Sequence, residues 1–508
     1  MKKPVKLFNR FLNIVEKGGN ALPNPSTLFA IFALLTVLAS AVAYSFELQA
    51  IHPVTGEIIT VNNLLSESGL KRIMLEMVTN FTNFAPLGIV LVALLGLGVA
   101  EGSGFLNAVI RIFVLSAPKA LLTFIIVFTG VLSNMASTVG YVLLIPLAGV
   151  VFLAVKRHPI VGMAAAYAGI SGGYSANLFI GTVDPLLAGL SQEAARIIDP
   201  QYIINPTANY YFMVVSTFLI AFAGTWVTEK IVEPRLGKYT GDVTPEKIEP
   251  LSAEEKRGLK FTFITFIGVL FVIVLGIYPE NGILRGENNG ILNSPLVVGV
   301  VALIFIVASL LGIAYGIGSR KFKNDNDIIK SMDSSMKSVS TYLVLVFFAS
   351  QFVSYFNWTN LGLIIAIEGA NLITHLGVGL IPLMIMFIIL SGTINLFMGS
   401  ASAKWALMAP IFVPMFMLLG YSPELTQAGF RIGDSVTNVI SPMMSFFALI
   451  IVYFQKYDKN AGIGTIVSTM LSYSIIFFVL WTILLIIWLF FNLPLGPNSE
   501  LYYQMLGS

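Results

Sequence analysis

Ser171-Gly172-Gly173-Tyr174-Ser175-Ala176-Asn177, followed by Asp184-Pro185, interrupts an apolar run at 159–190. A second run, 424–455, carries Gly433-Asp434-Ser435-Val436-Thr437-Asn438 and then Ser441-Pro442. Glycine and proline disfavour a helix interior by about 1 and 3 kcal/mol. Each run therefore reads as a helix broken near its middle. A gap of four residues aligns them, Asn177 with Asn438 and Pro185 with Pro442. In hydrocarbon, a break frees N–H and C=O groups that no water reaches. Such backbone persists only where it is buried in protein or lines a cavity. Helix N-termini exposed there attract anions, and freed carbonyls can hold cations.

The surroundings of both runs are membrane-like. Of 508 residues, 56% are hydrophobic and 11% charged, with mean hydropathy +0.85. A soluble domain carries about 25% charge, and about 20 apolar residues cross a hydrocarbon core of roughly 30 Å. Spans are expected at 27–46, 84–112, 159–190, 209–228, 259–278, 295–318, 338–356, 424–455 and 464–491. Two further apolar stretches, 119–155 and 377–419, are too long for one span and are interrupted by small polar residues. They read as re-entrant hairpins. The first tip is Ser133-Asn134-Met135-Ala136-Ser137-Thr138, with Pro146 beyond it. The second is Asn395 to Ser402, with Pro410 and Pro414 beyond it. The expected fold is an all-α integral membrane protein of about nine spans and two hairpins.

Basic residues collect in cytoplasmic loops. With the N-terminus inside, 23 of the 29 Lys and Arg fall on the cytoplasmic side. Lys71, Arg72, Arg196 and Arg285 fall outside, and Lys404 and Arg431 lie within the membrane. If the first hairpin crossed fully, the clusters at 230–260 and 320–337 would change sides. The C-terminus is thus expected outside a bacterial inner membrane. Lys2 to Lys17 followed by Ala39-Ser40-Ala41 resembles a cleavable signal. The basic region is long, however, and the segment has a counterpart in the second half, so it reads as the first span. There is no cysteine, and His52, His158 and His375 read as loop residues rather than metal ligands.

These assignments contain a symmetry. Residues 1–228 form one repeat and 295–491 a second of opposite orientation. Residues 229–294 are a cytoplasmic connector with a linking helix, and 492–508 an external tail. Inverted repeats with interrupted helices mark transporters whose site lies between the repeats at the midplane. The competing reading is that Gly and Ser only let helices pack closely. Four matched interruptions, two tips and two breaks, favour the first.

Charge at bilayer centre costs about 2.5–3.5 kcal/mol and faces a partner or a cavity. Arg431 lies about 10 Å into its span at 1.5 Å per residue. Asp434 follows three residues later on the same face. Either they form a structural pair, or Arg431 neutralises a substrate carboxylate while Asp434 titrates or orients it. Asp184 is a proton carrier if burial favours its neutral form, or a helix cap. Trp405 stacks on a substrate ring, or is a core aromatic. Lys404 is a second anion contact, or faces water. Asn134, Asn177, Asn395 and Asn438 add donors and acceptors at the tips and breaks.

Longer motifs carry a family likeness. Ser171 to Leu178, Phe356-Asn357-Trp358-Thr359-Asn360, Gly399-Ser400-Ala401-Ser402-Ala403, Ala409 to Met417 and Phe430 to Ser435 resemble the AbgT (p-aminobenzoyl-glutamate transporter) family over about residues 15–497. The resemblance implies a homodimer of nine-span subunits, with a scaffold and a mobile domain bearing the hairpins. It implies import of p-aminobenzoyl-glutamate, or proton-driven export of p-aminobenzoate and sulfonamide-like antimetabolites. It implicates Asp184, Asn395, Ser402, Trp405, Arg431, Asp434 and Pro442. Two positions depart: similar sequences often carry a carboxylate at Thr138 and an uncharged residue at Lys404.

The expected function is therefore secondary active transport of small aromatic anions by an elevator-type movement. No cofactor is called for; the coupling ion is H+, with Na+ and another carboxylate as the alternative. A channel needs a continuous polar pore, whereas these polar clusters are confined to midplane breaks. An enzyme would need a motif such as HExxH or a deep Ser–His pair, and neither is found. Nothing points to nucleic acid.

Overall fold

A computed structural model describes residues 23–51, 56–136, 139–244, 250–286, 290 and 294–503. The N-terminal basic cluster, His52 and the Ser137-Thr138 tip lie outside the described residues. Helices arrange as two matching series around a linker. The first series is α1 (Pro25–Ser45), α2 (Glu67–Thr82), α3 (Ala85–Ser103), α4 (Phe105–Leu115), α5 (Leu122–Ser133), α6 (Gly140–Ala154), α7 (Pro159–Gly172), α8 (Val183–Ala195) and α9 (Tyr210–Leu236). The linker is α10 (Ala253–Ile277). The second series is α11 (Val300–Gly318), α12 (Asp325–Ser338), α13 (Ser340–Trp358), α14 (Leu361–His375), α15 (Leu380–Phe397), α16 (Ala401–Leu418), α17 (Pro423–Asn438), α18 (Phe447–Gln455) and α19 (Ile463–Phe490). A small hairpin of two strands, Gln49–Ile51 and Ile58–Thr60, follows α1.

The series interlock. α1 packs on α13 and α3 on α11, while α2 meets α13 and α12 meets α3. Two hairpins, α5–α6 and α15–α16, and two broken helices, α7/α8 and α17/α18, are as expected. Among the described residues, eight helices are long and apolar enough to cross a membrane, or up to ten with bent pairs joined. The chain is a multi-pass membrane protein.

Three details differ from the expectation. The span at 84–112 is two helices, because Gly104 adopts φ +85° and turns the chain. Residues 361–375, left unassigned, form α14, the counterpart of α4. The second break lies later than expected. α17 continues through Gly433 to Asn438, and the irregular segment is 439–446. Gly433 serves packing there: an added Cβ would stand 2.8 Å from the Ser391 Cβ and 2.9 Å from the Gly392 nitrogen. The first repeat has the same crossing, where a Cβ on Gly130 would stand 3.0 Å from the Gly169 Cα.

An asparagine one turn on locks each crossing. Asn134 Nδ2 donates to the Ile170 carbonyl at 2.9 Å, and Asn395 Nδ2 to the Asp434 carbonyl at 2.8 Å. Gly169-Ile170 thus corresponds to Gly433-Asp434, which replaces the register pairing Asn177 with Asn438.

The second arm of hairpin two sits in protein rather than lipid. In α16, 72% of the apolar window is buried, against 11% in α10. This enclosure lets α16 carry Pro410 and Pro414 inside the helix, where freed carbonyls find protein rather than hydrocarbon. Overpacking a tight contact costs about 1–3 kcal/mol. Gly433→Val should therefore lower the melting temperature of detergent-solubilised protein. Gly268→Val, with open space around it, should leave that temperature unchanged.

Candidate functional site

The two tips and the two breaks converge. A cavity of about 210 Å³ is lined by Asn134, Tyr141, Tyr174, Thr182, Asn438 and Phe446, with Gly399 and Met444 closing it. Each wall has a local cause. Tyr141 stands in the π-helical turn Gly140–Leu144 that opens the second arm of hairpin one. It stacks on Phe446 of the second break, centroids 4.5 Å apart and planes 12° apart. Its hydroxyl meets Ser171 Oγ at 2.9 Å. Ser171 closes α7 in another π turn, Ala168–Gly172. Such turns recur at functional sites because they free backbone groups. Ser175 N donates to Ser435 Oγ at 3.1 Å, joining the first break to α17.

Two ion pairs lie beside this cavity. Arg431 pairs with Asp184, and Lys404 with Asp434. All four side chains are at most 4% exposed. The first pair joins α17 to α8, and so joins the repeats. Asp184 Oδ2 also accepts from Gly181 N at 2.7 Å, which fastens the end of the break to the first turn of α8. Lys404 crosses hairpin two, bonding Asn395 Oδ1 as well as Asp434. Asn438 Nδ2 donates to Asp434 Oδ2 at 3.4 Å. Tyr174, in the cavity wall, is within electrostatic reach of Arg431, Asp184 and Asp434.

Arg431 is not fully used. One amino group reaches Asp184, while buried Nε and Nη1 have no partner. The buried Asn134 Oδ1 is likewise unpartnered. Leaving a buried donor unmet costs about 1–3 kcal/mol, more for charged groups. A planar guanidinium with free donors suits a carboxylate.

The other expected residues fall in different settings. Asn438 lines the cavity, and Asn395 lies behind it as the hub of hairpin two. Asn177 shapes the first break, with Oδ1 accepting from Phe179 N at 3.2 Å. Ser402 sits at the tip of hairpin two, 3.1 Å from Ser400 Oγ. Pro442 lies in the second break. Trp405 is fully buried on Phe430, centroids 4.5 Å apart, and its Nε1 donates to Ser191 Oγ at 2.9 Å. In this conformation it packs as a core aromatic. The Arg431–Asp434 pair suggested by local spacing does not form, because each takes a partner from another element. Lys404 faces neither water nor the cavity.

Sequence reading missed the aromatic walls Tyr141, Tyr174 and Phe446. It also missed a polar stripe along α17: Glu424, Gln427, Arg431, Asp434 and Asn438, all buried. The alternating spacing of three and four puts them on one face, and that spacing was readable. Of the histidines, His375 is exposed. His158 caps α7, its Nδ1 accepting from Ile160 N at 3.3 Å, and burial pushes its pKa down. Among the described residues no three His, Cys, Asp or Glu converge on a metal site.

Known proteins share this architecture. The profile described as the AbgT putative transporter family matches residues 10–503. The p-aminobenzoyl-glutamate transport protein of Escherichia coli (strain K12) is 36% identical over 485 residues, 95% of each chain. The crystal structure of the Alcanivorax borkumensis YdaH transporter, described as having an unusual topology, superposes with TM-score 0.89 at 43% identity. It covers 94% of this chain and 100% of that one. Neisseria gonorrhoeae MtrF, from a class of antimetabolite efflux pumps, gives TM-score 0.91 at 48% identity, over 96% and 100%.

Removing one partner of a buried pair costs about 3–5 kcal/mol, whereas removing both is far cheaper. Lys404→Met should therefore strongly destabilise the solubilised protein, and adding Asp434→Asn should recover most of the loss. Thermal unfolding of the two single variants and the double variant reads this directly.

Proposed function

The chain belongs to the AbgT family of transporters, and on that footing we propose that it is a proton-driven secondary carrier of small aromatic carboxylates such as p-aminobenzoyl-glutamate or p-aminobenzoate. One observation carries the reading: Arg431, buried beside the chamber, holds two unused donors while bound to Asp184 of the opposite repeat. A substrate carboxylate competes with Asp184 for this guanidinium. Asp184 stays buried after the exchange, so the added negative charge calls for a proton taken up with the substrate, and the exchange loosens the tie between the repeats. Tyr141, Tyr174 and Phe446 offer faces for the aromatic ring, and Asn134 and Asn438 offer polar contacts at its ends. Ser402 and Pro442 shape the tip and break around it. Asn395 holds hairpin two to α17 through Lys404.

The chamber of about 210 Å³ is below the roughly 300–1,000 Å³ of ordinary ligand sites. It therefore opens to admit substrate, which supports alternating exposure by movement of the hairpins and broken helices against a fixed scaffold. The oxygens of Asp434 and Asn395 already hold the Lys404 ammonium, a cation of the chain's own. This favours a proton over a metal ion for coupling. The charge bias supports an inner-membrane protein with cytoplasmic N-terminus and external C-terminus. It also supports repeats at 1–228 and 295–491, a connector at 229–294 and a tail from 492. Exposed apolar side chains along α10, among them Phe263, Phe271 and Val272, face lipid or a second copy in a homodimer.

Purified protein in proteoliposomes tests this. Charged hydrogen bonds contribute about 1.5–3 kcal/mol. Arg431→Ala should therefore weaken p-aminobenzoyl-glutamate binding at least tenfold and abolish accumulation under a pH gradient. Asp184→Ala should also abolish accumulation but retain binding, since it removes the competitor and not the anchor. Normal uptake by both folded variants would remove the site assignment.

A further inference from the structure

Among the described residues three carboxylates are buried: Asp184, Asp434 and Glu424, at 3%, 1% and 4% exposure. The first two have cations of their own. Glu424 has none: among the described residues no Lys, Arg or His makes an ion pair with it. It occupies the first turn of α17, beneath the loop 196–209 and the tail that follows α19. The tail is seated there by backbone bonds, Ser422 N to the Leu501 carbonyl at 3.0 Å and Tyr503 N to the Gly420 carbonyl at 3.0 Å. A carboxylate buried without a counter-charge bears an uncompensated desolvation cost, which a proton removes.

Its neighbours are suited to a proton that comes and goes. The Tyr202 hydroxyl donates to Glu424 Oε2 at 2.9 Å. A hydroxyl turns, so it donates to the carboxylate and accepts from the acid. Tyr202 meets Tyr503 edge-on at 5.8 Å, and the Tyr503 hydroxyl reaches Asp199 Oδ2 at 3.4 Å. Arg196, the cation of that loop, spends its guanidinium on Glu193 and the Tyr202 carbonyl. The groups around Glu424 are therefore Tyr202, with Tyr503 and Asp199 beyond it, plus neutral Ser422, Asn209 and Gln427.

A hydrogen-bond chain runs from the main chain of Glu424 to α8 and hairpin two. Asn209 Nδ2 donates to the Glu424 carbonyl at 2.9 Å, and Gln427 Nε2 to Asn209 Oδ1 at 3.0 Å. Ser191 Oγ donates to Gln427 Oε1 at 2.7 Å, and Trp405 Nε1 to Ser191. Glu424 also lies two helical turns from Arg431 on one face of α17, about 10 Å away at 1.5 Å per residue. A change at Glu424 therefore bears on α8, on hairpin two and on the helix carrying Arg431.

We propose that Glu424 is the proton-binding site of the carrier, taking up and releasing the coupling proton beneath the loop 196–209 while Arg431 handles the substrate anion. Only a proton moves: it joins the carboxylate from water on one side and leaves to water on the other. The proposal rests on the proton-driven reading above.

The experiment follows radiolabelled p-aminobenzoyl-glutamate in proteoliposomes made with the full chain. For one proton per substrate, a gradient of one pH unit corresponds to about a tenfold accumulation. Wild-type protein should approach that ratio. Glu424→Gln should fall to about unity, and its substrate exchange should lose pH dependence. Tyr202→Phe keeps the carboxyl and removes a donor that favours the charged form. It should move the pH midpoint of exchange upward, and it decides the matter if Glu424→Gln does not fold. A folded Glu424→Gln that accumulates and titrates like wild type overturns the proposal, as does an unmoved midpoint in Tyr202→Phe. Wild-type uptake driven by sodium and indifferent to pH overturns the proton-driven reading instead, and this proposal with it.

Discussion

Hydrocarbon satisfies no hydrogen bond and solvates no charge, so every polar group taken into the membrane must be answered by another part of the chain. The centre of this protein follows from that constraint. Each break and each hairpin tip frees backbone groups that the other tip or break must face. Asn134 and Asn395 do this at equivalent places, one in each repeat, by donating to carbonyls at the helix crossings. Two acids are matched by two cations, and both pairs span separate elements. Each repeat ties its own tip to its own helix, and the Arg431–Asp184 pair joins one repeat to the other.

Such an arrangement is stable and also exchangeable. Arg431–Asp184 is the only ion pair among the described residues that joins the two repeats. It leaves part of the guanidinium unmet. An incoming carboxylate can take that hydrogen-bonding capacity, and a proton entering with it keeps the interior neutral. Lys404–Asp434 differs, because it lies wholly within the second repeat and binds hairpin two to α17. Under the proposed mechanism, one pair is placed to be exchanged and the other to keep hairpin two and α17 together. The polar stripe of α17 carries members of both, with Glu424 at one end and Asn438, in the chamber wall, at the other.

Much of this was legible in the residues. Hydropathy located the spans and hairpins, Gly and Pro clusters marked the interruptions, and the charge bias argued that the first hairpin does not cross. Local spacing failed where long-range partners decide. Arg431 and Asp434, three apart on a helix, suggested a pair, yet Asp184 lies 247 residues from Arg431 and no local pattern announces it. Gly433 suggested a break, but it marks a close approach to hairpin two, and the helix ends only after Asn438. Helices α2 and α12 are too polar to read as spans, and their matching places in the two series emerge only from packing. The spacing of Glu424, Gln427, Arg431, Asp434 and Asn438 was visible throughout. Its meaning depends on the stripe being buried, which composition alone does not reveal.

The most direct measurement is an experimental structure of the protein with p-aminobenzoyl-glutamate bound. The account predicts a ligand carboxylate within hydrogen-bond distance of Arg431, its ring against Tyr141, Tyr174 or Phe446, and the Arg431–Asp184 contact loosened or replaced. Ligand seated away from the hairpin tips, with Arg431 still bound to Asp184 alone, would contradict it.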